Sequence, residues 1–234
     1  MNVTNKKALI FGGTSGIGLA TSKILASLGA RVTAVSRNPE KAGDVPEGIT
    51  LRKCDVRNRE ALQQLFKECA PFDILVNAAT GGTRAMGPFL EMDMDGYQAS
   101  FDKLWGYANV VRFGTEHMSE DGTVVLVSGT PARRAKPGQV SLASVGGAVE
   151  AFVKSVAQEI TPRRLNVVSP GIIDTPMVPL QGQEREDLYK KRTAGHLIPR
   201  AGTAEEVAQG ILFMIQNDFV TGTTIDVDGG SLLS

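Results

Sequence analysis

Residues able to ligate a metal or carry a reactive thiol are scarce in this chain: its 234 residues include two cysteines and two histidines. Cys54 and Cys69 show no Cys-x-x-Cys spacing and no neighbouring histidine, which excludes a zinc motif or a disulfide scaffold. It also predicts no metal, in a reducing compartment. An excess of either charge is missing too. Lys and Arg number 25 against 25 Asp and Glu, so no overall field draws the chain to nucleic acid or to an anionic membrane. No apolar run approaches the roughly 20 residues that span a bilayer, and the N-terminus shows no secretory h-region. These absences predict a cytoplasmic protein with no nucleic-acid or membrane partner, working on a small molecule.

What is present is an alternation. Short apolar runs suited to buried parallel strands occur at Ala8–Phe11, Arg31–Ser36, Ile49–Arg52, Asp73–Val76, Thr123–Val127, Leu165–Val168 and Thr224–Val227. Helical patterns separate them at Ile17–Leu28, Arg59–Cys69, Tyr97–Met118, Leu142–Ile160 and Ala204–Ile215, with Asn58 and Thr203 as N-caps. The chain is 42% hydrophobic with 26 glycines, enough for one substantial core. The pattern predicts a single α/β Rossmann domain over residues 1–234, with a seven-stranded parallel sheet, helices on both faces and a ligand crevice at the carboxyl ends of the strands. Pro176–Pro199 lacks a clear pattern. It reads either as a mobile lid over the crevice or as an ordered helical excursion that only packs.

The first strand breaks into Gly12-Gly13-Thr14-Ser15-Gly16-Ile17-Gly18 and then into a helix. Glycines there permit a sharp turn and close approach to a pyrophosphate, whose charge is favoured by the free N–H groups opening the helix. An acidic residue ending the second strand would bond the ribose of NAD, whereas this chain has Ser36-Arg37-Asn38 and no carboxylate between Leu28 and Glu40. A forked cation suits a 2′-phosphate, so NADP(H) is expected, although a solvated surface Arg37 is the plainer alternative. Thr14, Ser15 and Asn38 offer neutral hydrogen bonds to that phosphate or act only as turn residues.

With these pieces the sequence resembles the short-chain dehydrogenase/reductase superfamily over nearly its whole length. The resemblance is carried by Gly12-x-x-x-Gly16-x-Gly18, Cys54-Asp55-Val56, Val76-Asn77-Ala78-Ala79, the segment Asn166 to Met177 and Val227-Asp228-Gly229-Gly230. It implies that Asp55 contacts adenine, that Asn77 shapes the end of the fourth strand, and that Pro170-Gly171-Ile172-Ile173-Asp174-Thr175 holds the nicotinamide. Read from the residues alone, Asp55 and Pro170-Gly171 are turn residues. The candidate cofactor set is Gly12, Thr14, Ser15, Gly16, Ile17, Gly18, Arg37, Asn38, Asp55, Val56, Asn77, Ala78, Pro170, Gly171, Ile173 and Thr175.

The resemblance fails at the family's catalytic residues. Aligning Val149-Glu150-Ala151-Phe152 with the family's helix puts Leu142 at its Tyr position, Gly146 at its Lys position and Gly129 at its Ser position, and Leu104-Trp105-Gly106 puts Lys103 at its Asn position. No shift of frame recovers the tyrosine, since the three present are Tyr97, Tyr107 and Tyr189. A positioned acid or base is worth about 10²–10⁴ in rate, so a substitute donor is required or none is needed. Lys103 is the leading candidate: its stem would carry the ammonium into space left at Gly146, to bond the nicotinamide ribose or a developing alkoxide, unless it is a helix-surface lysine. Ser128 offers a hydroxyl or merely ends the fifth strand. Ser141 and Ser144 read as donors or N-caps, and His196 as a proton donor with nothing placing it. His117 reads as a helix end. Arg133, Arg134 and Lys136 read as an anion site or a solvated loop.

Two readings follow. One is an NADP(H)-dependent oxidoreductase with a nonstandard acid/base set, acting on an unknown carbonyl or alcohol; the other is a catalytically silent NADPH-binding sensor or scaffold. The resemblance also implies a homodimer or homotetramer, with Ala148, Ala151, Phe152 and Val156 on the contact face.

Overall fold

The computed structural model describes residues 1–80 and 83–234. Its sheet holds the seven expected strands, all parallel: β1 (Lys7–Phe11), β2 (Arg31–Ser36), β3 (Ile49–Lys53), β4 (Phe72–Asn77), β5 (Met118–Val127), β6 (Arg164–Pro170) and, after two short strands described below, β9 (Thr224–Val227), in the order β3-β2-β1-β4-β5-β6-β9. The strand order reverses between β1 and β4, and at such a switch point the connections leave a crevice at the carboxyl ends of the strands.

Alternate residues of β1 face opposite cores. Leu9 and Phe11 join Phe66, Leu75, Tyr107 and Val149 on one side, beneath α2 (Arg59–Cys69), α4 (Asp102–Gly114) and α5 (Val140–Glu159). Ala8 and Ile10 join Leu25, Val207, Ile211 and Ile215 on the other, beneath α1 (Gly16–Ser27) and α7 (Ala204–Gln216). Two helix starts are fixed as the sequence predicts. Asn58 accepts from Ala61 N at 2.9 Å, and Thr203 and Glu206 form a reciprocal capping box.

Three elements depart from expectation. The helix expected over Tyr97–Met118 begins earlier, as α3 (Met94–Ser100), breaks at Phe101, resumes as α4 and ends at Gly114. At the break the Ser100 hydroxyl donates to Gly96 O and accepts from Ala85 N, which ties the loop after β4 to the break. His117 therefore ends a short 3-10 turn, stacked on Phe66, and β5 starts at Met118 rather than Thr123. Residues 176–199, the undecided segment, contain α6 (Gly182–Thr193). Arg185 ties that helix down by donating to Asp174, Thr175 O, Val178 O and Leu180 O. Asp174 belongs to β7 (Ile173–Asp174), which pairs with β8 (Gly202–Thr203). Finally, α5 corrects the expectation about apolar length: its twenty residues are long and apolar enough to cross a bilayer. Here Val145, Val149 and Val153 of α5 are buried in the domain core, and Glu150 and Lys154 interrupt its apolar surface.

Candidate functional site

The glycine-rich turn after β1 is built at backbone contact distance. Gly12 adopts φ +74°, and a Cβ there would lie 2.8 Å from Ala79 N; a Cβ at Gly18 would lie 2.1 Å from Gly12 O. No side chain larger than hydrogen fits either position. The turn delivers the chain into α1 with Ser15 as N-cap, yet the Ser15 side chain makes no capping bond and the first turn has no acidic residue. The opening amides of α1 are thus left uncapped by protein, which fits an anionic ligand such as a pyrophosphate. Thr14 is buried and Ser15 exposed at this mouth.

Neighbouring elements close around the turn. Ala78 N donates to Phe11 O at 2.9 Å, and fully buried Asn77 accepts from Ala79 N at 3.0 Å. The Asn77 Nδ2 has no partner among the described residues. From the other side, Thr175 Cβ comes within 3.4 Å of where a Gly16 Cβ would stand. The strand end carrying it is held by Gly171 N donating to Val227 O at 3.0 Å, with Asp228 packed against Gly171 too closely for a Cβ. Of the other expected cofactor residues, Ile17 and Ile173 pack against the core beneath α1 and α7, and Pro170 is buried at the end of β6. Arg37 is exposed at the end of β2 and forms no ion pair among the described residues, and Asn38 next to it makes no capping bond. Asp55 is engaged in its own turn, accepting from Arg57 N at 2.9 Å, while Arg57 reaches Asp102 at 2.5 Å. Val56 covers Gly106 of α4, where a Cβ would approach its side chain to 2.5 Å.

At the carboxyl end of β5 the picture differs from the sequence expectation in one important respect. The space at Gly146 is closed: a Cβ there would meet Ala132 Cβ at 2.9 Å and Ser128 Oγ at 3.1 Å, and the Ser128 hydroxyl donates to Gly146 O. The Lys103 ammonium is not housed at Gly146. It bonds Ser128 O at 3.4 Å and lies 5.4 Å from the centre of the Tyr107 ring. Burial, with Arg84 nearby, lowers its pKa to about 7. Tyr107 itself is buried, donates to Val127 O at 3.0 Å and is pushed above its ordinary range by burial.

Arg84 is the residue that sequence reasoning missed. The one available signal was a cation in the loop leaving the carboxyl end of β4, where ligands bind in this class of sheet. Its side chain crosses to the opposite wall, donating to Met177 Sδ at 2.9 Å. Its backbone neighbour Ala85 is gripped from two sides, by Ser100 and by Ser141 Oγ donating to Ala85 O. Ser141 is thus committed to the loop, and Ser144 accepts from Tyr97 at 3.0 Å; neither caps α5. The basic cluster after β5 is committed as well. Arg133 pairs with Glu150 and Asp226, tying α5 to β9, and Arg134 donates to the carbonyls of Ser231 and Leu232, fastening the C-terminal turn. His196 lies by Lys136 and Asp228, with burial as the main cause of its lowered pKa. Among the described residues no cluster of His, Cys, Asp or Glu would hold a metal ion.

A family model described as enoyl-(acyl carrier protein) reductase matches residues 12–231. The chain is 31% identical to carbonyl reductase family member 4 of Danio rerio, over 97% of this chain and 98% of that one. It is 30% identical to L-xylulose reductase of Mus musculus, over 99% and 98%. A crystal structure of a small-chain dehydrogenase in complex with NADPH superposes with a TM-score of 0.83 at 26% identity, covering 98% of this chain and all of that one. The glycine turn, the switch point and these matches together place the chain in the short-chain dehydrogenase/reductase superfamily of oxidoreductases.

Proposed function

We propose that the protein is an NADP(H)-dependent oxidoreductase interconverting a small carbonyl compound and its alcohol, in which Lys103 replaces the family's tyrosine as proton carrier. In this reading the chain is a divergent member, with Leu142, Gly146 and Gly129 at the usual Tyr, Lys and Ser positions. The relatives named as carbonyl and sugar reductases, and the neighbour solved with NADPH, support the reaction class and the cofactor.

The glycine turn and the uncapped opening of α1 would hold the pyrophosphate, Arg37 and Asn38 the 2′-phosphate, Asp55 and Val56 the adenine, and Asn77, Ala78 and the Pro170–Thr175 segment the nicotinamide half. When bound, the cofactor supplies the hydride. Lys103 then has one task. Its ammonium, held at Ser128 O, gives a proton to the substrate oxygen as negative charge develops there, and the neutral amine takes one back in the reverse direction. The observation that carries this reading is the partly buried Lys103 amine, bonded to Ser128 O over the Tyr107 ring with no carboxylate partner among the described residues. Ser128 serves by its carbonyl, since its hydroxyl is spent on Gly146.

The closed space at Gly146 favours a second reading, a silent NADPH-binding sensor or scaffold, because no ribose-binding lysine fits there. Transfer of deuterium from NADPH labelled at nicotinamide C4 into a panel of ketones, aldehydes and oxo acids separates the two. Labelled alcohol is expected from at least one panel member. With Arg37→Gln the preference for NADPH over NADH should fall about tenfold or more. Tight NADPH binding with no transfer to any panel member sinks the enzyme reading.

We further propose a cytoplasmic homodimer or homotetramer, joined through α4 and α5. Trp105 of α4 is 60% exposed, and on α5 Ala151 is exposed while Phe152 and Val156 are partly buried against the core. Sedimentation should show a dimer or larger that Ala151→Arg dissociates; a wild-type monomer at micromolar concentration contradicts this.

A further inference from the structure

We infer that Arg84 is a specificity residue that receives a carboxylate on the substrate, beside the oxygen that Lys103 serves. The substrate class is thereby narrowed to small carbonyl compounds bearing a carboxylate, such as oxo acids. The inference rests on the proposed function for the reaction, but not for the anion site itself.

Arg84 and Lys103 reach the same end of the cleft from different elements, the loop after β4 and helix α4. Neither forms an ion pair among the described residues, whereas Arg57, Arg133, Arg185 and Arg200 all hold carboxylates. The sole hydrogen-bond acceptor of Arg84 among the described residues is the Met177 thioether. A thioether is a weak acceptor, and a guanidinium carries five N–H donors, so most of the fork is open to a ligand.

The position of Arg84 is also fixed. Ala85 is bonded on both its N–H and its carbonyl, by Ser100 from the α3 end and Ser141 from α5, and Gly87 N donates to Gly138 O at 3.0 Å. Those bonds hold the Arg84 backbone in place on the cleft wall, facing Met177, which lies two residues beyond Thr175. When Lys103 is protonated, the two cations repel each other with no counter-charge among the described residues, and an anion seated between them removes that repulsion. A planar carboxylate matches the guanidinium fork, which gives direction as well as charge. Arg84 is exposed.

A binding measurement tests this without turnover. Oxamate, a carboxylate with a neighbouring carbonyl, is titrated by calorimetry into protein saturated with NADP+, against the neutral control oxamide. Wild type should bind oxamate and not oxamide, with affinity falling as salt rises. Arg84→Gln should lose about tenfold or more of that affinity, with NADPH affinity and thermal midpoint unchanged, and Arg84→Lys should recover only part of the loss. Equal affinity for oxamate and oxamide overturns the inference. So does an Arg84→Gln protein that keeps oxamate but binds NADPH more weakly, because the anion is then the cofactor's own phosphate. Oxamate held by Arg84 in a protein that transfers no deuterium leaves the anion site standing and removes the oxidoreductase reading instead.

Discussion

Lys103 illustrates how a single side chain changes meaning between sequence and structure. Its stem runs from α4 over the Tyr107 ring, and its head bonds one carbonyl, Ser128 O, at a long 3.4 Å. An ammonium in that position has lost water without gaining a counter-charge, so the neutral amine is favoured and the pKa falls to about 7. The unfolded chain keeps the ordinary lysine value of 10.5. Between about pH 7 and pH 10.5 the unfolded state therefore holds a proton that the folded state has released, and stability rises with pH across that window. Below pH 7 both states are protonated and the folded state carries the full desolvation cost. Lys103→Met should consequently stabilise the fold by on the order of 1 kcal/mol or more at pH 6, the gain shrinking towards pH 10. Urea titrations of both proteins at a series of pH values measure this. A Met variant less stable than wild type at pH 6 shows that the ammonium has a stabilising partner. The thiols carry no comparable chemistry: burial pushes Cys54 up to about 11, leaving it protonated and inert.

Among the elements, legibility followed the source of the stabilising contacts. The seven sheet strands were readable because each is an apolar run between turn residues, and Asn58 and Thr203 because capping is local chemistry. The break at Phe101 was not readable, because what fixes it is a bond from Ala85, fifteen residues away. The early start of β5 was hidden for a similar reason. Met118 pairs with Phe72 across a register irregularity, and Ser119 and Asp73 share a hydrogen bond, so this polar stretch is strand by its partners rather than by its pattern. Helix α6 has almost no apolar face, with Tyr189 and Thr193 as its buried residues. It is held by the fan of bonds from Arg185, a tertiary device that periodicity does not reveal. The same limit explains the site. The tight turn after β1 was legible since glycine spacing encodes backbone geometry. Arg84 was illegible since its place is set by the clamping of Ala85 by two distant serines.

At the scale of the molecule the crevice has two regions. At the carboxyl ends of β1 and β4 lies a turn whose Gly12 and Gly18 admit no Cβ. The end of β5, with α4 and the loop after β4, forms a second region where Lys103 and Arg84 bring positive charge. In the proposed reading one scaffold keeps its cofactor geometry and alters its proton chemistry. The central claim is that Lys103 carries the proton. It is tested most directly by the pH dependence of kcat/KM for deuterium transfer from labelled NADPH, in wild type and in Lys103→Met. Reduction by wild type should fall about tenfold per pH unit above pH 7 as the ammonium deprotonates, and oxidation of the product alcohol should rise up to the same point. The Met variant should be slower by about 10²–10⁴, with a flat profile and unchanged NADPH affinity. A Met variant that keeps the wild-type rate and the wild-type inflection near pH 7 would contradict the account.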